Sequence, residues 1–95
     1  HTLPAGHPAA FRLDQNYPNP FNSSTTIKFK LPQSAMVRLG VFDMLGREVA
    51  VLVNERRNAG VHEVRFDGPN LASGMYVCRL QVADIVQSGK LVLLK

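Results

Sequence analysis

Three histidines, one cysteine and seven carboxylates are this chain's main resources for acid–base, metal or thiol chemistry. Their spacing assembles none of those sites. His1 and His7 stand in the opening stretch. His62 shares a strand-like pattern with Val64 and Phe66, where a half-buried or edge histidine is the plain expectation. With Cys78 alone and no carboxylate–histidine spacing, nothing supplies the four-ligand sets that hold zinc. Ser73–Gly74 occurs in LASGMY, without the Gly-x-Ser-x-Gly elbow that exposes a nucleophilic serine and without a triad partner. The acids are scattered rather than paired, so no general acid–base couple emerges. The sequence predicts no catalysis, no metal and no cofactor.

Binding chemistry is equally sparse. The net charge is +4, but the only adjacent basic residues are Arg56 and Arg57, and no basic stripe interleaves with stacking aromatics. Nucleic acid is therefore not expected as a partner. Saccharide sites usually offer a flat aromatic platform, whereas this chain has no Trp, and its two tyrosines are Tyr17 beside a proline and Tyr76 in a core-facing pattern. Asn22-Ser23-Ser24 satisfies the glycosylation triplet, which is common by chance. Cys78 has no internal disulfide partner and lies in an apolar alternation, so a buried structural thiol is expected. No apolar run reaches membrane-spanning length, and no stretch of these residues reads as a signal peptide. The opening on His1 rather than Met suggests a segment of a longer protein, whose export signal would lie upstream.

The elements behind these residues read as strands. Residues 1–10, HTLPAGHPAA, lack periodicity and read as a linker or expression remnant. Phe11 and Leu13 share one face of a first strand. NYPNPFN (residues 16–22) contains Pro18 and Pro20, which lack amide donors and push Tyr17 and Asn19 towards extended geometry, so it must turn. Ile27, Phe29 and Leu31 then alternate with Lys28 and Lys30 as a half-buried strand, ended by Pro32. Val37, Leu39 and Val41 form the next inward set. Asp43-Met44-Leu45-Gly46 supplies a tight loop in which Gly46 is free to take positive φ. Residues 47–58 are ambiguous. Val49, Leu52 and Val53 fit a helical face, yet Val49, Val51 and Val53 fit a strand, and β-branching favours the strand. Val64 with Phe66, then Tyr76, Cys78, Leu80 and Val82, give further inward faces, separated by the DGPN turn. The last segment ends in LVLL, flanked by Lys90 and Lys95. Short strands with turns every 8–12 residues predict an all-β, two-layer sandwich.

Four blocks carry a resemblance: LDQNYPNPFNSSTTIKFKLP, VFDMLGREVAVLV, AGVHEVRFDGPNLASGMYVCRL and KLVLLK. In this order and spacing they resemble the type IX secretion system type A C-terminal sorting domain, across residues 11–95. The family is related to Ig-like domains of the flagellar hook-capping type, so the resemblance implies an Ig-like antiparallel β-sandwich of about seven strands. It also implies a non-catalytic signal at the C-terminus of a larger secreted protein of a Gram-negative bacterium, with a passenger that is often a hydrolase. After general export to the periplasm, the outer-membrane translocon would recognise the folded domain. A sortase-like cysteine peptidase would then remove it and join the passenger to anionic lipopolysaccharide. The product would be secreted or attached to the cell surface.

The same resemblance assigns the signal residues. The opening motif falls on Asn16, Tyr17, Pro18, Asn19, Pro20, Phe21 and Asn22. The Leu-x-Ser-Gly-x-Tyr element falls on Leu71, Ser73, Gly74 and Tyr76, and the closing lysines on Lys90 and Lys95. The proline block would fix the passage from first to second strand, with Tyr17 or Phe21 pinning it to the core, and Gly74 would take a backbone conformation closed to other residues. Cleavage would fall within residues 5–10. Three positions depart from the family's habit. Ser23 stands where a third proline is common, which would loosen the turn. Cys78 replaces a residue that is more often aromatic, and Gly89 one that is polar or basic. The competing expectation is an Ig-like accessory or spacer module of a secreted hydrolase with weak glycan binding. In either case the long apolar last strand, on an exposed edge, offers a surface for pairing with a second copy.

Overall fold

The computed structural model describes residues 11–68 and 70–95. The expected linker, its histidines and the cleavage zone lie outside the described residues, as does Pro69 of the DGPN turn. The strands are β1 (Arg12–Leu13), β2 (Ser24–Leu31), β3 (Ala35–Phe42), β4 (Glu48–Arg57), β5 (Gly60–Asp67), β6 (Gly74–Val82) and β7 (Ile85–Leu93), with no helix among the described residues. They form a three-stranded sheet, β1-β2-β5, and a four-stranded sheet, β4-β3-β6-β7. All ladders within the sheets are antiparallel. This is the all-β, Ig-like sandwich expected, with the fourth strand lying beside the third.

Strict alternation builds the core. In β2, Ile27, Phe29 and Leu31 are fully buried while Lys28 and Lys30 lie half-exposed on the other face. Val37, Leu39 and Val41 of β3 and Tyr76, Cys78 and Leu80 of β6 face them from the second sheet, joined by Leu91 and Leu93 of β7. Each fully buried Leu, Ile or Phe contributes roughly 1.5–3 kcal/mol, so this inner layer dominates stability. His62 takes the place expected of it, half-buried on β5 and stacked on Phe29 at 5.1 Å between centroids. Cys78 is a free buried thiol, and desolvation pushes its pKa up to about 11, which keeps it protonated and unreactive at neutral pH.

The ambiguity of residues 47–58 has a structural cause. The segment is a strand, but its register against β3 slips between Leu39 and Gly40 and again between Val41 and Phe42. Val53 opposes Leu39 while Val51 opposes Gly40, so Leu52 is an extra residue. Ala50 opposes Val41 while Glu48 opposes Phe42, so Val49 is a second one. Each bulge moves the inward side of the strand by one residue. Val49, Ala50 and Leu52 pack on the core with Val53, whereas Val51 is 48% exposed. The helix-like spacing of apolar residues is the trace of a twice-bulged edge strand.

The strand directions sort the connections into two ends. At one end lie the passage from β2 to β3, the passage from β4 to β5 and the two-residue β6–β7 loop, Ala83-Asp84. At the other lie the β1–β2 corner, the β3–β4 hairpin, the β5–β6 connection and the last residues of β7. Ala83 sits at φ 52°, the only positive φ of its loop. A two-residue loop with positive φ at its first position favours glycine there. Ala83→Gly is therefore expected to raise stability by about 0.5–1 kcal/mol, the αL strain relieved less the entropy glycine loses on folding. A higher urea midpoint at unchanged slope is the signature to measure.

Candidate functional site

The corner at residues 16–22 is built on its own hydrogen bonds. Asn16 is buried, and its amide donates to the Pro18 carbonyl at 3.2 Å and to Thr25 Oγ1 at 3.1 Å. Thr25 Oγ1 donates in turn to the Pro18 carbonyl at 2.8 Å. Tyr17 exchanges backbone hydrogen bonds with Thr26, at 3.0 Å in both directions. The Tyr17–Pro18 and Asn19–Pro20 bonds are cis. Between the two aromatics of the motif the structure makes a clear division. Phe21 is 2% exposed and meets Phe66 edge-on at 6.0 Å, whereas the Tyr17 side chain projects into solvent, 81% exposed.

The far side of this corner binds the last strand. Phe21 N–H donates to the Val92 carbonyl at 2.9 Å, and Leu94 N–H donates to the Phe21 carbonyl at 2.9 Å, a parallel bridge centred on Leu93. The Asn19 side chain imitates one more residue of strand. Its Oδ1 accepts from Val92 N–H at 3.0 Å and its amide donates to the Lys90 carbonyl at 3.3 Å. The edge on which a second copy was expected to pair is thus engaged, at Val92 and Leu94, by the chain itself.

The β5–β6 connection reaches the same place. Gly74, at φ 153°, begins β6 opposite Leu93, in a conformation that side chains rarely adopt. Buried Tyr76 donates its hydroxyl to the Ala72 carbonyl at 2.7 Å. That bond, from a tyrosine near the start of the sixth strand back to the preceding loop, is the tyrosine corner of Ig-like sandwiches. Leu71 is half-buried and packs on the core, while exposed Ser73 accepts the Lys95 N–H on its Oγ at 2.9 Å. Lys90 and Lys95 are both exposed.

Two blocks far apart in sequence therefore grip one short segment, residues 90–95. The family model for the secretion system C-terminal sorting domain matches residues 15–94. The chain belongs to that family. No curated protein and no solved structure matches it.

In this sorting domain the motif residues divide by what they touch. Asn16, Asn19, Phe21, Leu71, Ser73, Gly74 and Tyr76 hold the corner, the loop and β7 together. Tyr17, Pro18, Pro20, Asn22, Lys90 and Lys95 are exposed. Among the described residues no group of three or more His, Cys, Asp or Glu stands close enough to hold a metal ion. The departures from the family's habit also find places. Ser23 takes φ 72°, which a proline ring fixed near −65° cannot, and its carbonyl accepts Gly68 N–H at 2.8 Å. Cys78 and Gly89 are register partners on the inner face, so two departures form one small-residue pair, and Leu13 leans over it, 3.8 Å from where a Gly89 Cβ would stand.

Sequence reasoning read the β3–β4 hairpin as a tight loop but named no functional residue in it. Asp43 closes it by accepting from Leu45 N–H at 2.9 Å, Arg47 N–H at 3.0 Å and Arg47 Nε at 2.8 Å. The Arg47 amide first, then its guanidinium and the Leu45 amide, hold the Asp43 carboxyl below its ordinary value. Its contribution to the turn is present above that ordinary value and is lost as pH falls through the lower folded one. The signal was Asp-x-x-Gly spacing around Met44 and Leu45, two apolar residues that the turn itself does not require.

Two measurements check this division. Phe21→Ala is expected to cost about 3–5 kcal/mol and Tyr17→Ala less than about 0.5 kcal/mol in chemical unfolding. Equal costs would mean that Tyr17 also holds the corner. Ser23→Pro, although it moves towards the family's habit, is expected to lose more than about 1 kcal/mol, while Ser23→Asn, which tolerates positive φ, retains stability.

Proposed function

We propose that this sorting domain is a non-catalytic export and surface-attachment signal, carried at the C-terminus of a larger secreted protein and read in folded form by the type IX outer-membrane translocon. The observation that supports this reading is the double grip on residues 90–95. The opening corner and the β5–β6 loop both contribute hydrogen bonds to them, so the exposed lysines are displayed at fixed positions on a folded body. Arg12, paired with Lys30, enters at the opposite end of the sandwich, so a passenger joined there leaves this end uncovered. A sortase-like cysteine peptidase would act upstream of the sandwich, within residues 5–10, and transfer the passenger to anionic lipopolysaccharide.

The accessory-module reading also has an observation in its favour. The Tyr17 ring stands beside a groove of about 380 Å³ lined by Asp14, Gln15, Thr26, Lys28 and Glu63, a mixture of donors and acceptors that suits a saccharide. An export assay separates the two. A periplasm-directed fluorescent reporter is fused to residues 1–95 in a bacterium that possesses the system, alongside a Lys90→Ala/Lys95→Ala version. The sorting reading predicts surface or medium fluorescence with the intact domain, lost in a translocon mutant and lowered at least tenfold in the double variant at unchanged thermal midpoint. Truncation at Gly89 is a poor substitute, because it removes Leu91 and Leu93 from the core. Retention of the intact fusion in the periplasm, together with polysaccharide affinity that Tyr17→Ala abolishes, would replace sorting with the accessory role.

A further inference from the structure

We infer that the β3–β4 hairpin and the strand face beside it form a docking surface for a protein of the export machinery, one that presents an apolar side chain next to a carboxylate. This rests on the sorting reading and names where and how the partner binds.

The hairpin carries Met44 and Leu45 at its tip, 64% and 79% exposed. Asp43 holds that tip rigid through its bonds to Leu45 and Arg47, so two large apolar side chains are held out in water on a fixed base. Behind the tip lies a groove of about 270 Å³, walled by Phe42, Met44, Val77 and Arg79 and closed by Ser88 and Gly46. Met75 extends the apolar surface, 43% exposed, towards β7. The Arg79 guanidinium lies over the Phe42 ring at 4.2 Å and forms no ion pair among the described residues.

The carboxylates on this face are already engaged, Asp43 by Arg47 and Glu48 by Arg38. Lys90, the register partner of Val77, also forms no ion pair among the described residues. The surface is therefore apolar with two uncompensated cations. Met, aromatic residues and Arg are the types enriched where proteins meet. Large apolar side chains exposed together around a groove are the kind of surface that marks a protein or membrane contact. The concave wall favours a protein, because a partner side chain can fill a groove, whereas a lipid surface would engage only the projecting tip. Arg79 at that wall calls for a carboxylate from the partner.

The test uses the reporter fused to residues 1–95. Met44→Ser/Leu45→Ser and Arg79→Glu are each expected to lower export at least tenfold with the thermal midpoint unchanged, and Arg79→Lys to retain most of it. A benzophenone crosslinker at the position of Leu45 is expected to capture a component of the secretion machinery, and one at the position of Val61, on the other sheet, is not. Wild-type export by the tip variant, or equal capture from both positions, overturns the inference while leaving the sorting role intact. Sedimentation of the purified domain with phosphatidylglycerol vesicles, dependent on Met44 and Leu45 and without capture of any protein, would assign the tip to a lipid surface and overturn it too. Retention of the wild-type fusion in the periplasm would remove the sorting reading, and this inference with it.

Discussion

The backbone bridge between Phe21 and the last strand is the contact on which the rest of this domain depends. β1 and β7 are the facing edges of two different sheets, and an open edge there would leave the core exposed along one side. Phe21 and Asn19 close the half of that side near residues 90–95. Gln87 closes the other half, accepting Leu13 N–H at 2.7 Å and donating to the Phe11 carbonyl at 3.4 Å. The Phe21 ring then enters the core beside Phe66, so one residue supplies both the edge pairing and the apolar wedge that holds it in place. Covering an edge with the chain's own residues is also a defence against pairing with other copies.

Much of the sandwich was legible because burial imposes a period of two wherever one face of a strand is wet. β2 and β6 show it without interruption, and β3 shows it apart from buried Gly40 between Leu39 and Val41. β4 showed it only partly, since bulges at Leu52 and Val49 shift the phase and no local residue type announces a bulge. Residues 16–22 were legible as a turn from their prolines alone. Their attachment to β7 was not, because Asn19 and Lys90 are 71 residues apart and an asparagine that replaces a missing strand looks the same in sequence as one that caps a turn. Nor could sequence choose between Tyr17 and Phe21 as the anchor. Both flank proline, and only the direction in which the corner turns decides which ring goes inside.

Electrostatics adds little to this frame. The ion pairs among the described residues are mostly short-range and partly exposed, as with Arg12–Asp14 and Arg65–Asp67, and such pairs contribute at most about 1 kcal/mol each. What charge does here is mark surfaces. On the β1-β2-β5 sheet the cations Arg12, Lys30 and Arg65 find carboxylates within their own face, and Lys28, which forms no ion pair among the described residues, still stands opposite Glu63 in register. On the β4-β3-β6-β7 sheet Arg79 and Lys90 do not. The imbalance lies on the sheet that also carries the exposed methionines, and at the end where the motif blocks converge.

That coincidence bears on why a sorting signal should be a folded domain at all. A linear tag needs only its own residues, and would still be readable in an unfolded chain. Here the residues gripping β7 come from positions 19–21 and 71–76, and they reach it only when the sandwich has formed. The exposed members of the motif, Tyr17, Lys90 and Lys95, acquire fixed mutual positions through the buried ones, Asn16, Phe21 and Tyr76. A surface assembled in this way would report folding and identity together to any receptor that reads it. A chain that has not closed its last edge presents the same residues in the wrong places, and a receptor that requires their geometry would pass it by.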